Sequence, residues 1–373
     1  MKTFEIATKK SKRKTLLKTV GFSTVGTLTF LVGGYLLLNK ITSENAWKME
    51  RFYEMKSSIS YPNIQAIDWS FDASSQFSGT FRANQVKDIA GISVPFEPYT
   101  GNYSLSPRVV GGRQDMNLYQ TKDGKASYTH GHSYKSPMFF NREYDYRKNK
   151  EYGSNLTQDI ALLPQMTGKA VEVAVTFDKP YTFEEIASMI PETLKINWYW
   201  IGTSSSYNTG DLDVDDQIGF TPNLEQTQTK EELEREQQDF SKKNEKASTE
   251  EGEKRYQEHL KRLAEQDVVK RFENSYTTFY DNLQKVVAED WQSTRTASDG
   301  SRFDLKADIE SYLKNNPDGR KAKFAGLILT GKAEDFAPLE KANWIFGSNI
   351  GQSIALEPYH QLDTRHDPTL PQK

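Results

Sequence analysis

The stretch KKSKRKTLLKTVGFSTVGTLTFLVGGYLLLNK, residues 9–40, decides how the rest of the chain is read. Lys9, Lys10, Lys12, Arg13, Lys14 and Lys18 form a basic cluster, and the uncharged apolar run Thr19 to Leu38 follows at once. At helical rise those twenty residues are enough to cross a hydrocarbon core. Seven bases and one acid, Glu5, precede the run. The positive-inside bias therefore predicts a cytoplasmic N-terminus and an extracytoplasmic remainder. A cleaved signal peptide and a buried core helix are the competing readings. The apolar region of a signal peptide is about 7–15 residues long and ends at a small-x-small cleavage site, whereas Asn39-Lys40-Ile41-Thr42-Ser43 offers none.

Working outward, the part beyond Leu38 is longer than one average domain, which predicts two folded modules. Of the chain's 48 bases and 51 acids, removing those ahead of the run leaves 41 against 50, a net of −9. Nucleic acid is excluded as an extracytoplasmic partner on that balance. With no cysteine, stability outside the cell comes from packing, and thiolate catalysis and Cys-type zinc sites are excluded.

The predicted fold class is α+β. Its expected divisions are a cytoplasmic basic tail over 1–18, the span over 19–38, an extracytoplasmic module over 39–155, a second over 160–360 and a flexible tail over 361–373. Residues Ile41 to Ser57 read as a helical stalk, with Trp47 and Tyr53 suited to the headgroup interface. From Tyr61 to Tyr152, short aromatic and β-branched pieces broken by Pro and Gly predict a β-rich module: Ile67 to Phe71, Gly79 to Phe81 and Ile89 to Val94.

The second module opens with the strand Lys169 to Phe177, whose Val171, Val173, Val175 and Phe177 face one way and Glu172 and Thr176 the other. Thr182 with Glu185, and Ser248 with Glu251, are capping boxes. In the strand Leu194 to Ile201 strict alternation puts Leu194, Ile196, Trp198 and Trp200 on one face. That makes Trp198 and Trp200 the core anchors, beneath a helix whose Phe272, Tyr276, Phe279, Leu283 and Val286 recur at steps of 3 and 4. Such a seam packs back on its own sheet or forms a dimeric coiled coil. Residues Glu231 to Lys246 read as a solvated helix or loop. A capped helix near Phe303 to Leu313, a strand Ala322 to Leu329, a short helix around Glu334 to Ala342 and two strands, Trp344 to Phe346 and Ile350 to Leu356, complete the pattern.

Catalytic signatures are missing: no G-x-S-x-G elbow, Walker loop or H-E-x-x-H motif occurs, and no cofactor is expected. Ser311-Tyr-Leu-Lys314 has S-x-x-K spacing but reads as a solvated helix face. His130 and His132 could share one side of a strand, yet no third ligand is identifiable beside them. Asp211, Asp213, Asp215 and Asp216 begin like an EF-hand loop. Asp216 stands where Gly is needed and Pro222 where a bidentate Glu should sit, so an acidic surface loop competes with a weak calcium site.

Two groups of segments resemble a known family. Lys12 to Lys18 running into the span, Tyr61-Pro-Asn-Ile64, Phe77-Ser-Gly-Thr-Phe81 and Ile89 to Pro95 resemble the N-terminal module of the Bacillus-type sigma factor regulators, membrane-anchored anti-sigma factors. Val171 to Phe177, Asn197-Trp-Tyr-Trp200, Phe324 to Gly331 and the Trp344 segment resemble the C-terminal module. The resemblance implies a single-pass, non-enzymatic protein that holds an extracytoplasmic-function sigma factor at the lipid bilayer and releases it under envelope stress. The eighteen residues ahead of the span are too few for a sigma-binding domain, so contact with the factor is expected to be indirect or shared with a companion small membrane protein. The alternative is an envelope binding or assembly protein that shares the outer modules without direct sigma binding.

Overall fold

A computed structural model describes residues 2–106, 118–120, 126–128, 134–146, 156–223, 249–289, 294–296 and 300–364. His130 and His132, the segment Glu231 to Lys246, and Ser248 of the second capping box lie outside these described residues. The chain divides into two compact units: residues 1–53, 68–83 and 98–112 form the first, and residues 54–67, 84–97 and 113–373 the second. Helix and sheet are mixed along the chain, and the fold class is α+β.

Helix α1 runs unbroken over Lys2–Ser57. At 1.5 Å per residue it is about 84 Å long. Val20, Phe22, Leu28, Phe30 and Leu31 in its apolar run are all more than half exposed, and the run is long and apolar enough to cross a membrane. Three of its threonine hydroxyls are satisfied inside the helix: Thr19 Oγ1 donates to Thr15 O at 3.0 Å, Thr24 Oγ1 to Val20 O at 2.8 Å and Thr29 Oγ1 to Val25 O at 2.9 Å. At those positions no hydroxyl is left unpaired on the apolar surface of the helix.

Strands β1 (Ile64–Ser75), β2 (Ser78–Ile89) and β3 (Ile92–Ser104) make a three-stranded sheet in the order β1-β2-β3. The Ala90–Gly91 connection has φ of 53° and 90°, the double positive φ of a tight hairpin turn that keeps the strand twist. Within the first unit, Tyr53 of α1 packs on Phe81 and Tyr99 at 5.7 and 4.6 Å between ring centroids. Gly101 lets Met49 approach so closely that no Cβ would fit between them.

The second unit is organised by a five-stranded antiparallel sheet in the order β12-β6-β11-β7-β8. Its strands are β6 (Lys169–Thr182), β7 (Lys195–Trp200), β8 (Gly219–Phe220), β11 (Lys323–Lys332) and β12 (Ile345–Ala355). Two short pairs, β4 (Leu118–Gln120) with β5 (Ala126–Tyr128) and β9 (Thr294–Thr296) with β10 (Arg302–Asp304), form ladders of their own. Helices α2 (Phe183–Met189), α3 (Thr249–Ala288) and α4 (Leu305–Asn315) belong to the same unit, with short 3-10 helices over Asp159–Met166, Thr209–Asp211 and Ala333–Leu339. The Thr182 and Glu185 capping box opens α2, each side chain meeting the other's backbone amide.

Phe272, Tyr276, Phe279, Leu283 and Val286 of α3 are buried on the sheet with Val171, Val173, Val175, Tyr199, Leu327 and Leu329. Trp198 and Trp200 are buried too, but not there. They lie in a separate cluster on the opposite face, with Phe139, Ala174 and Ile328. Tyr199 is the residue beneath the helix, 5.3 Å from the Phe272 ring. The cause is a bulge: Ile328 pairs with Trp198 while Leu329 pairs with Ile196, so Asn197 is an extra residue and the alternation reverses across it. Leu194 and Ile196 therefore share the α3 side with Tyr199 and not with the tryptophans.

Candidate functional site

The second face of the sheet carries a buried ionic network around Glu172. Glu172 is the only charged residue between Lys169 and Asp178, at a position alternation would give to solvent, and it is fully buried. Lys87 of β2 is equally buried, and its Nζ donates to Glu172 Oε2 at 2.7 Å. The Gln352 amide donates to the same oxygen at 3.0 Å, and Asn63 Nδ2 donates to Oε1 at 2.8 Å. Gly351 presses so close to this carboxylate that a Cβ there would collide with it.

The bulge residue Asn197 extends the network. Its Nδ2 donates to Asn63 Oδ1 at 3.0 Å and to Asp88 O at 2.9 Å, and its Oδ1 accepts from Thr330 Oγ1 at 2.7 Å. Thr330 Oγ1 in turn accepts from the Ala90 amide of the hairpin turn at 2.9 Å. At the rim, Lys195 Nζ donates to Asp88 Oδ2 at 2.6 Å and to Asp363 Oδ2 at 2.7 Å. The Asp363 amide donates to Ala90 O at 2.8 Å.

Electrostatics sort these groups. Burial pulls the Lys87 ammonium below the usual lysine pKa, opposed by the charge and hydrogen bond of Glu172. Burial works against charge on Lys195 as well, but there the Asp363 and Asp88 carboxylates outweigh it and hold the pKa above the usual value. A buried pair of this kind is costly to break, because removing one partner strands the other, at about 3–5 kcal/mol. Its groups are engaged with one another, an arrangement that holds chain segments in one register.

The other candidate residues fall elsewhere. Lys9, Lys10, Lys12, Arg13, Lys14 and Lys18 are exposed on α1. Asp213, Asp215 and Asp216 do converge, their carboxylate oxygens lying within 4.8 Å of one another. A cation is already present among them: Lys56 Nζ, from the last turn of α1, stands 3.7 Å from Asp215 Oδ2 and 3.6 Å from Asp216 Oδ1 and donates to Asp215 O at 3.1 Å. The acidic loop is thus the seat of the α1 terminus. Lys314 of the S-x-x-K spacing is exposed on α4, outside the buried Ile309 and Tyr312.

Sequence reasoning missed Lys87, Glu172, Asn63 and Asn197. The one available signal was an acid alone in a valine strand.

Residues 6–94 match the family described as sigma factor regulator N-terminal, and residues 163–352 match sigma factor regulator C-terminal. No curated protein and no solved structure matches the chain. Asn63, Lys87 and Asp88 come from the first matched segment, and Glu172, Asn197, Thr330 and Gln352 from the second, so the network joins the two family segments inside one unit. With its C-terminal match alone covering about half of the sequence, this chain belongs to the sigma factor regulator family and is a regulator of sigma factor activity.

Proposed function

We propose that the chain is a single-pass membrane regulator of an extracytoplasmic-function sigma factor in envelope-stress signalling, with residues 1–18 cytoplasmic and the sheet-bearing units outside. The observation that carries this reading is the continuity of α1. One helix begins at Lys2, holds the exposed apolar run, and ends with Lys56 gripped by Asp215 and Asp216. A stimulus that rearranges the second unit therefore acts directly on the last turn of the membrane-crossing helix. At the other end, each Lys or Arg of the basic cluster contributes about 1 kcal/mol of attraction to anionic headgroups. Too short to hold the sigma factor by itself, the same segment reaches the factor indirectly or in a contact shared with a companion small membrane protein.

Reporter fusions after Lys18 and after Lys40 are expected on opposite sides of the membrane. Deleting the gene should raise transcription of the factor's regulon, and crosslinking from residues 9–18 should recover the factor or the companion. Fusions that both report cytoplasm would remove the membrane reading. Correct topology with no transcriptional effect of the deletion would favour the envelope binding or assembly role.

A further inference from the structure

In the first unit the β1–β2 hairpin ends beside the last turn of the apolar run. Gln76 Nε2 donates to Asn39 Oδ1 at 3.2 Å, one residue past Leu38. The Phe77 ring stands edge-on to Tyr35, inside the run, with 6.0 Å between centroids. Tyr35 lies about 4–5 Å short of Leu38 along the helix axis, and the headgroup layer beyond the hydrocarbon edge is roughly 5–7 Å deep on each side. A bilayer that receives the run up to Leu38 therefore meets the hairpin tip at the depth of its headgroups.

The composition of the tip suits that depth. From Ala73 to Phe81 there is no charged residue. The Ser78 hydroxyl is shared with Ser74 at 3.0 Å and Ser75 at 2.7 Å, and the Phe77 amide donates to Ser75 Oγ at 3.3 Å. Internally paired hydroxyls around a single aromatic ring lose little on leaving bulk water, and aromatic rings concentrate at the membrane interface.

We propose that this tip is a second membrane-contact site, seated in the outer-leaflet headgroup layer with Phe77 at the acyl boundary. The proposal rests on the reading that α1 crosses the bilayer. Lacking charge, the tip recognises the interface itself and not a particular headgroup. Outer-leaflet packing then acts on the hairpin and on α1 at one depth, which gives the first unit a direct way to register the state of the membrane.

Because the chain has no cysteine, single cysteines can carry a fluorescent label in the full protein reconstituted in phosphatidylcholine vesicles. Four sites suffice: Leu31→Cys within the run, Gln76→Cys at the tip, Ser74→Cys beside it with the Gln76–Asn39 bond intact, and Arg51→Cys, exposed on α1 about 20 Å past Leu38. Labels at 76 and 74 should be quenched several-fold more than the label at 51 by lipid spin-labelled at the headgroup, and raised salt should not change this. The label at 31 should respond to lipid spin-labelled deep in the acyl chain. Phe77→Ser should abolish the headgroup quenching when added to the Ser74→Cys chain, and leave the deep quenching unchanged when added to the Leu31→Cys chain. Quenching at 31 with tip labels no different from 51 would overturn the tip contact while the span stands. No quenching at 31 would remove the span and the tip contact with it.

Discussion

On the face of the five-stranded sheet beneath α3, Phe220 stacks on Phe279 at 4.7 Å and Phe183 on Phe272 at 4.0 Å, with Tyr199 and Phe324 between them. On the other face, Trp198 and Trp200 meet Phe139, and beside them Glu172, Lys87, Asn63, Asn197 and Thr330 are held by hydrogen bonds. The first face is made of non-directional contacts, so it tolerates exchange of one apolar group for another of similar volume. Each of these five polar side chains in the second has a named partner, and each is expensive without it. The helical face supplies bulk stability, and the polar face fixes which chain segments lie together and in what register.

The largest expected effect comes from breaking the pair on one side only. Lys87→Ala should destabilise the protein by about 3–5 kcal/mol, read from denaturant unfolding, because Glu172 is left charged and buried. Lys87→Met combined with Glu172→Gln should recover most of that loss, since the amide oxygen still accepts from Asn63 or Gln352. A double variant as unstable as the sum of two single ones would show that the pair is not a unit.

On the helical face, Leu283→Ala should cost about 2–5 kcal/mol through the cavity it leaves. This loss should be additive with Lys87→Ala, because the two sites share no partner. Strong coupling between them would mean that the two faces do not act separately.

The smallest effect is a slope with pH at the margin of the helical face. Asp308 accepts from the Ser204 amide and hydroxyl at 2.8 and 2.5 Å and from Tyr207 Oη at 2.8 Å. Burial raises its pKa above the usual aspartate value, against those hydrogen bonds. Between pH 3.8 and the raised value the folded state holds a proton that the unfolded state has released, so stability falls as pH rises through that window. Asp308→Asn should flatten the slope. An unchanged slope would assign it to other carboxyls.

The helical face was legible because steps of 3 and 4 in α3 and alternation in β6 are local properties of the chain. The polar face was not, since a strand that hides Glu172 under Lys87 alternates like one that shows Glu172 to water, and the covering groups come from 85 to 180 residues away. The reversal at Asn197 was hidden for a related reason: a one-residue bulge leaves the apolar pattern on either side intact. In the first part of the chain, prolines at 95 and 98 argued for short broken pieces, yet β3 runs through both. It is an outer strand of its sheet, where a missing amide hydrogen is tolerated. Trp344 to Phe346 and Ile350 to Leu356 likewise fused into the single strand β12, which absorbs its irregularities as register shifts. The network that joins the family segments was thus the part least readable in advance.

Synthesis order gives the Lys87–Glu172 pair a further consequence. A growing chain releases Lys87 85 residues before Glu172. At about 5–20 residues per second the ammonium waits roughly 4–17 s for its counterion. Throughout that interval the cheapest place for it is water, so the end of the β1–β3 sheet near Lys87 stays open while the chain behind it is still being made. Closure is deferred at least until β6 has emerged, and because Thr330 and the Gln352 amide follow later still, completion of the polar face is a late event in synthesis.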